Sequence, residues 1–361
     1  MSIKNHFLLV LAFCTVSALS AQVNLLDDSF TSGPAGTTLF KSSSALNLGI
    51  GQENLPTSVT WIGNGVPSLP ATGESYTNNG NGSGNISFPS LPTTSENVTA
   101  FYQPSDSYAV ISGAGNSLTL QFDFTVSGTF TSNSAIRFGL FNSGSTGSLD
   151  NQITRETGGG VTAGNVGSPA LFSGYYASFA PAATTSTAGV VAFYNRAPSN
   201  SNSTFISSTS AGTFNQLGYG TTPTTSPGLT TDPYQATLTL QNTVPGSQMT
   251  LTFGITDLNT GGTSYSSSVI DTGAAGSNTG VPAVGTTPAI PTQSYANPIV
   301  DAFDGLSIGT VSNQGILTVT NVTVSYVPEP PVYVLCSGGL VVFAAASWWI
   351  RRRRAAKAVA A

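Results

Sequence analysis

The sequence LTLQFDFTV at residues 118–126 decides the fold, because its apolar and polar side chains alternate without a fault. Successive side chains of a β-strand point to opposite faces, so every second residue shares one face. The apolar positions are Leu118, Leu120, Phe122, Phe124 and Val126. The segment therefore predicts an antiparallel strand with this apolar face in a core and its Thr, Gln and Asp side chains in water.

Two further segments show the same alternation and predict the same kind of half-buried strand. The alternating residues of the first are Ile136, Arg137, Phe138, Gly139 and Leu140. The second spans residues 249–256 and predicts a hairpin with residues 236–241. Pro245 and Gly246 lie between them and favour a type II turn, because Pro fixes φ at the first central residue and Gly accepts a positive φ at the second.

The last strand, residues 316–327, changes parity along its length. Leu317 and Val319 occupy one parity, whereas Val322 and Val324 occupy the other. A bulge near Thr320-Asn321 would let both pairs face the core.

The rest of the segment between residues 22 and 327 extends this picture and shows no helical periodicity. Long Ser-, Thr- and Gly-rich loops are predicted at 72–84, 142–168, 221–232 and 272–298. Weaker strands are predicted at 57–62, 98–102, 108–112, 173–180, 188–195, 213–219, 263–270 and 302–309. The fold class is therefore all-β, an antiparallel β-sandwich that occupies residues 22–327 as one body.

The distribution of charge, His and Cys excludes several functional classes. Only 7% of the chain is charged, against roughly 25% in typical domains. The body has four basic and fourteen acidic residues, a net charge of −10, which excludes nucleic acid as a partner. His6, Cys14 and Cys336 lie outside the body, so it has no disulfide, no Cys/His zinc site and no Ser-His-Asp triad. We expect no cofactor.

Residues 1–21 predict a secretory signal peptide. Lys4 supplies the positive start, and the apolar run at residues 7–16 is too short to span a bilayer. Small residues around Ala21 suit cleavage, so the chain is expected to be exported through the Sec translocon.

The C-terminal segment has three parts. Pro328, Glu329 and Pro330 precede an uncharged run at residues 332–350, whose helical length of about 28 Å predicts one transmembrane helix. An arginine cluster follows and, by the positive-inside rule, holds residues 355–361 in the cytoplasm and the body on the opposite side. The cluster consists of Arg351, Arg352, Arg353 and Arg354.

This three-part order resembles the PEP-CTERM sorting signal of bacterial exported proteins, with residues 328–354 as the matching segment. The resemblance implies recognition by an exosortase-like membrane protease/transpeptidase. An inner-membrane anchored precursor would lose this tail and reach the cell surface or the extracellular space. The alternative interpretation is a plain single-pass anchor, in which Pro330-Pro331 merely bounds the helix.

The body resembles the concanavalin-like jelly-roll domains that occur in surface proteins with this tail. The resembling segments are 26–30, 59–61, 118–126, 136–142, 303–309 and 322–324. The resemblance implies a two-sheet sandwich, a fold that hosts lectins, glucanases and structural modules alike.

Three kinds of site are relevant to the body. The paired acids of a jelly-roll glucanase are missing from any single strand, and Glu53, Glu74, Glu96 and Glu156 are isolated. Calcium candidates near strand ends are Asp27, Asp28, Asp301 and Asp304, although no loop has the spacing of known calcium motifs. Aromatic candidates for sugar stacking are Trp61, Tyr76, Tyr102, Tyr175, Tyr176, Tyr194, Tyr219, Tyr234, Tyr265 and Tyr295, unless they pack in the core.

The sequence therefore predicts an exported, non-enzymatic surface or extracellular-matrix protein that is sorted by an exosortase-like system. The alternative is a surface carbohydrate-binding module with an extracellular polysaccharide as partner, or a glycan-active hydrolase. No catalytic residue is predicted.

Overall fold

The computed structural model describes most of the predicted body in separate segments. One compact unit comprises residues 23–326, and residues 1–22 and 327–361 form a second. Of the second unit, only Gln22, Val327 and Pro328 belong to the described residues. The described segments are 22–31, 38–40, 61–64, 75–102, 108–131, 134–143, 172–181, 191–196, 214–219, 229–261, 263–273, 299–313 and 315–328.

These segments form β-strands and no helix, which confirms the all-β prediction. The strands are β1 (Val23–Asp28), β2 (Thr38–Phe40), β3 (Trp61–Asn64), β4 (Ser75–Asn78), β5 (Gly84–Phe88), β6 (Leu91–Phe101), β7 (Ala109–Val110), β8 (Ser117–Gly128), β9 (Ala135–Asn142), β10 (Ser173–Phe179), β11 (Val191–Arg196), β12 (Phe214–Tyr219), β13 (Tyr234–Val244), β14 (Gln248–Asp257), β15 (Thr263–Asp271), β16 (Ala302–Phe303), β17 (Gly305–Asn313) and β18 (Gly315–Val327).

The first sheet is nine-stranded, with the order β15-β14-β13-β8-β18-β5-β4-β2 and with β1 added to β18. Its strand β8 alternates buried and half-buried residues from Ser117 to Val126, which confirms the predicted strand. The predicted hairpin is β13–β14. Its type II turn is confirmed, because Gly246 has φ +68° and the N–H of Ser247 donates to the carbonyl of Val244 at 2.9 Å.

Strand β18 explains the change of parity near Thr320-Asn321. Its first half pairs with β5, where Leu317 lies opposite Phe88. Its second half pairs with β1, where Val322 lies opposite Asp28. Leu317, Val319, Val322 and Val324 are all buried, so the parity changes where the strand exchanges one partner for another.

The second sheet is seven-stranded, with the order β12-β11-β10-β9-β17-β6-β3, and a two-stranded ribbon pairs β16 with β7. Each weaker strand predicted from the sequence is found here or in β15, with shifted bounds. The first predicted loop was wrong in part, because residues 72–84 contain β4. The other three predicted loops lie largely outside the described residues.

The seven-stranded sheet is buried on both faces at its centre, which corrects the prediction for β9. Arg137 and Gly139 were expected in water, yet every residue from Ala135 to Phe141 is buried. Alternation separates two faces of a strand but does not show that the second face meets water, because a central strand can be covered on both sides.

The two sheets pack face to face through aromatic rings. Phe122 of β8 meets Phe138 of β9 edge to face, with ring centroids 4.8 Å apart. Phe253 of β14 lies 5.6 Å from Phe138 and 5.4 Å from Phe179 of β10. These rings belong to one continuous apolar core that both sheets supply. Aromatic pairs of this kind add about 0.5–1.5 kcal/mol each beyond the area they bury.

A buried carboxylate joins the two sheets at each side. Asp28 of β1 accepts hydrogen bonds from Trp61 Nε1 of β3 at 2.7 Å and from the N–H of Phe30 at 2.8 Å. At the opposite edge of the two sheets, Asp271 of β15 accepts a hydrogen bond from Asn195 Nδ2 of β11 at 2.8 Å. Both carboxylates are fully buried, so they need these donors.

The predicted signal peptide, sorting motif beyond Pro328, transmembrane helix at 332–350 and arginine cluster lie outside the described residues. Within the described segments no helix is long and apolar enough to cross a membrane.

We predict that Trp61→Phe lowers the free energy of unfolding by about 1.5–3 kcal/mol, because it removes a hydrogen bond to a buried charged acceptor. Tyr76→Phe is the matched control. It removes the 2.6 Å hydrogen bond from the Tyr76 hydroxyl to the neutral carbonyl of Phe30 and should cost about 1 kcal/mol. Chemical denaturation measures both, and equal losses would contradict the special weight given to Asp28.

Candidate functional site

The outer face of the seven-stranded sheet, on the side away from the core, is formed by three rows of residues that cross the strands. The middle row is Thr99, Ser307, Gly139, Tyr176, Tyr194 and Gln216. One flanking row is Asn97, Gly309, Arg137, Ser178 and Ala192. The other is Phe101, Gly305, Phe141, Gly174 and Arg196.

Two tyrosines of the middle row form the aromatic centre of this face. The rings of Tyr176 and Tyr194 are stacked, with centroids 4.6 Å apart and planes 5° from parallel. Tyr176 crosses Gly139, where an added methyl group would lie 2.5 Å from the Cβ of Tyr176. Only glycine permits this approach.

Arg137 lies beside the stacked tyrosines in a neighbouring row. Its Nε donates to the hydroxyl of Ser178 at 3.2 Å, and its side chain is 6% exposed. Burial lowers the pKa of Arg137, whereas the phenol groups of Tyr176 and Tyr194 oppose that shift. Burial raises the pKa of Tyr176, and the positive charge of Arg137 counteracts this rise.

Arg196 occupies the third row next to a group of phenylalanines. Its Nη1 donates to the carbonyl of Phe172 at 2.9 Å, and its guanidinium lies 6.0 Å from the centre of that ring. Phe101 packs edge to face on Phe172 at 6.2 Å. Burial lowers the pKa of Arg196 to about 9, so the side chain remains a cation at neutral pH.

Polar side chains fill the opposite end of the middle row. The hydroxyl of Thr99 lies 3.3 Å from the hydroxyl of Ser307, and Asn97 Nδ2 donates to the same hydroxyl at 3.3 Å. Ser307 in turn donates to the carbonyl of Val98 at 3.1 Å. These three side chains are buried, and the network satisfies their polar groups within the sheet.

Of the aromatic residues predicted to contact sugars, the structure leaves Tyr194 the most accessible among those whose side chains it describes. Tyr194 is half-buried, and the side chains of Tyr219 and Tyr295 lie outside the description. The others are buried: Trp61, Tyr76, Tyr102, Tyr175, Tyr176, Tyr234 and Tyr265. Most pack in the core, which is the alternative that the sequence left open.

The four calcium candidates are distributed over two regions. Asp27 and Asp28 lie on β1 of the nine-stranded sheet, and Asp28 already accepts two hydrogen bonds. Asp301 and Asp304 flank β16. Among the described residues, no group of three or more His, Cys, Asp or Glu side chains is placed to hold a metal ion.

Asp304 forms a separate buried cluster with Ser143 and Tyr102. Its carboxylate accepts hydrogen bonds from the N–H of Ser143, at 2.9 Å, and from the Ser143 hydroxyl. Burial raises the pKa of Asp304 to about 6, although the two hydrogen bonds from Ser143 act in the opposite direction. The pKa of Tyr102 is raised by its own burial and by the charge of Asp304.

Sequence reasoning missed Arg137, Asn97, Thr99, Ser307 and Gln216 as site residues. It assigned Arg137 to water because of its alternation with Ile136 and Phe138. A usable signal was Gly139 of β9 together with Gly305 and Gly309 of β17, since glycine in a strand marks a close approach of another group.

Neither a scan against protein-family models nor a search of curated proteins finds a match to this chain. Solved structures do match over most of their length. Peanut lectin with a 9mer peptide has TM-score 0.33 and 11% identity, covering 80% of this chain and 97% of that one. Lectin II from Ulex europaeus has TM-score 0.35 and 10% identity, covering 82% and 100%.

A carbohydrate esterase from the Shiga toxin-encoding bacteriophage phi24B is also similar, with TM-score 0.35 and 11% identity over 85% of this chain and 100% of that one. At such identity and TM-score, the likeness assigns neither a ligand nor an activity to this chain.

The Asp304 cluster predicts how stability depends on pH. Its pKa of about 6 in the folded chain lies above the ordinary 3.8. The folded state therefore holds this proton to higher pH, and the free energy of unfolding falls by on the order of 2–3 kcal/mol as the pH rises from about 4 to about 7.

Asp304→Asn should remove this loss, whereas Ser143→Ala should enlarge it, because the lost hydrogen bonding raises the pKa of Asp304 further. Denaturant titrations of the three proteins across that range measure the effect. A pH dependence shared by wild type and Asp304→Asn would show that other groups cause it.

Proposed function

We propose that the chain is an exported, non-enzymatic surface protein whose concanavalin-like jelly-roll body binds carbohydrate on the outer face of its seven-stranded sheet. One observation carries the proposal: at this face the half-buried ring of Tyr194 is held stacked on Tyr176, beside the half-buried polar side chains of Ser178 and Gln216. Saccharides offer the matching chemistry, because their C–H faces pack on aromatic rings and their hydroxyls exchange hydrogen bonds with such groups.

Tyr194 is the residue through which this face meets a ligand. It is half-buried, and Tyr176 holds its ring in one orientation by stacking. A ring that is already ordered loses little conformational entropy on binding. Gln216, its neighbour on β12, is also half-buried, and its amide nitrogen is buried without a hydrogen-bond partner among the described residues.

The composition of the same face supports binding without hydrolysis. The three rows include no Asp or Glu, whereas glycoside hydrolysis generally needs two carboxyl groups facing each other across the sugar. The buried acids Asp28, Asp271 and Asp304 are engaged elsewhere, as acceptors of structural hydrogen bonds.

The proposed cellular route remains the one that the terminal segments predict. The signal peptide would direct the chain to the Sec translocon, and the tail at residues 328–354 would hold it in the membrane until an exosortase-like enzyme acts. The body would then reach the cell surface or the extracellular matrix, where polysaccharides are abundant.

A glycan array probed with the full chain, purified in a mild detergent, tests the binding proposal. Tyr194→Ala should weaken binding to the retained glycans by about tenfold or more, because an ordered aromatic ring at the centre of a contact dominates its energy. Tyr326→Ala is the control, since Tyr326 is half-buried on the nine-stranded sheet. Equal effects of both variants would contradict the assignment. If the array retains no glycan at all, a purely structural role is favoured.

The sorting proposal is tested by replacing Pro328, Glu329 and Pro330 together with alanine. We expect the variant to remain a longer, membrane-bound precursor, because the enzyme would no longer recognise the tail. Intact mass and cell fractionation measure chain length and location. A variant processed like the wild type would identify the tail as a plain anchor.

A further inference from the structure

The outer face of the seven-stranded sheet is cationic, although the body as a whole is acidic. Residues 22–327 include only four basic residues against fourteen acidic ones. Two of those four, Arg137 and Arg196, lie on this single face, whose three rows contain no acidic residue. Among the described residues, this face therefore concentrates positive charge, which the net charge of the protein does not suggest.

Arg137 has hydrogen-bonding capacity left for a ligand. A guanidinium group has five N–H donors. One of them, on Nε, binds Ser178, and the remaining donors of Arg137 have no acceptor among the described residues. Tyr176 and Tyr194 are the only described groups that act electrostatically on Arg137, so no described carboxylate neutralises its charge.

The neighbours of Arg137 on the sheet are small. Gly309 and Ser178 flank it across the strands, and Ala135 and Gly139 precede and follow it on the same face of β9. Ser178 and Tyr194 are half-buried, so this part of the face reaches solvent beside them. An anionic group that enters there would meet the Arg137 guanidinium with the Tyr194 ring beside it.

We infer that the outer face recognises an acidic glycan, with Arg137 binding a carboxylate or sulfate group and Tyr194 contacting the adjoining sugar ring. This inference rests on the proposed carbohydrate binding and specifies its ligand class. Arginine suits the task, because its planar fork binds carboxylate and sulfate-like oxyanions with two parallel hydrogen bonds. The buried position of Arg137 makes such a pair stronger than an exposed one.

The test uses pairs of ligands that differ only in charge. Oligogalacturonate is compared with its methyl ester, in which each carboxylate is neutral, and dextran sulfate is compared with dextran. Poly-glutamate serves as a polyanion without sugar. Binding to the full chain in a mild detergent is measured by calorimetry, at low and at moderate salt.

Arg137→Gln is the test variant, and Arg137→Lys keeps the charge without the fork. The control is Gln241→Glu, which changes the net charge by the same amount at an exposed position of β13 on the other sheet. We expect Arg137→Gln to weaken binding of the charged glycan by about tenfold to a hundredfold. Arg137→Lys should recover part of the loss, and Gln241→Glu should bind like the wild type.

The outcomes separate the inference from the function on which it rests. Equal binding of a charged glycan and its neutral counterpart would overturn the acidic specificity and leave carbohydrate binding intact. Equal binding of poly-glutamate would make the face a general polyanion site, which also overturns the inference. Failure to bind any glycan would refute both. If Arg137→Gln unfolds, Arg137→Lys takes its place as the test variant. An Arg137→Lys protein whose affinity for each charged glycan, relative to the neutral counterpart, equals that of the wild type would exclude a role for the guanidinium fork.

Discussion

The contact between Phe138 and the rings of the opposite sheet is the interaction on which the rest of the structure depends. Phe138 meets Phe122 and Phe253, so one side chain joins β9 to both β8 and β14. With that face of β9 committed to the core, period-two geometry places Arg137 and Gly139 on the outer face. The position of the candidate site is therefore a consequence of how the core is packed.

Scarcity of charge determines how this protein stabilises its buried acids. Asp28, Asp271 and Asp304 are matched with N–H and O–H donors from Trp61, Asn195 and Ser143, which are uncharged. Neutral donors satisfy a buried carboxylate without desolvating a second ion, although they hold its pKa down less than a cation would. Asp304 shows the result, because burial outweighs the two hydrogen bonds from Ser143 and its pKa is raised.

Because these three acids are satisfied by uncharged donors, none of them is paired with Arg137. Arg137 interacts electrostatically with Tyr176 and Tyr194 and with no described carboxylate. Keeping a buried cation among tyrosine rings and small residues costs free energy. This cost is one reason to place the candidate site on the outer face.

Much of the fold follows from the sequence alone. Alternation in β8 and β14, and Pro245-Gly246 between β13 and β14, gave the correct strands and turn, because these are local properties. Even the changed parity of β18 was visible in Leu317, Val319, Val322 and Val324. The strands β1, β2, β4 and β5 were not predicted. In β4, Ser75–Asn78 has a single large apolar residue, and its pairing with β5 supplies the missing stability.

The candidate site depended on tertiary structure. The sequence supplied ten aromatic candidates, and only packing decided that Tyr194 keeps an accessible edge while Tyr175 enters the core. It could also not show that Tyr176 stacks on Tyr194 or that Arg137 lies beside both, because β9, β10 and β11 are separated by long segments and their register is fixed only when the sheet forms. The alternation of apolar and polar residues is a property of one strand, so the sequence alone determines it. A row of side chains that crosses several strands forms only when those strands pair.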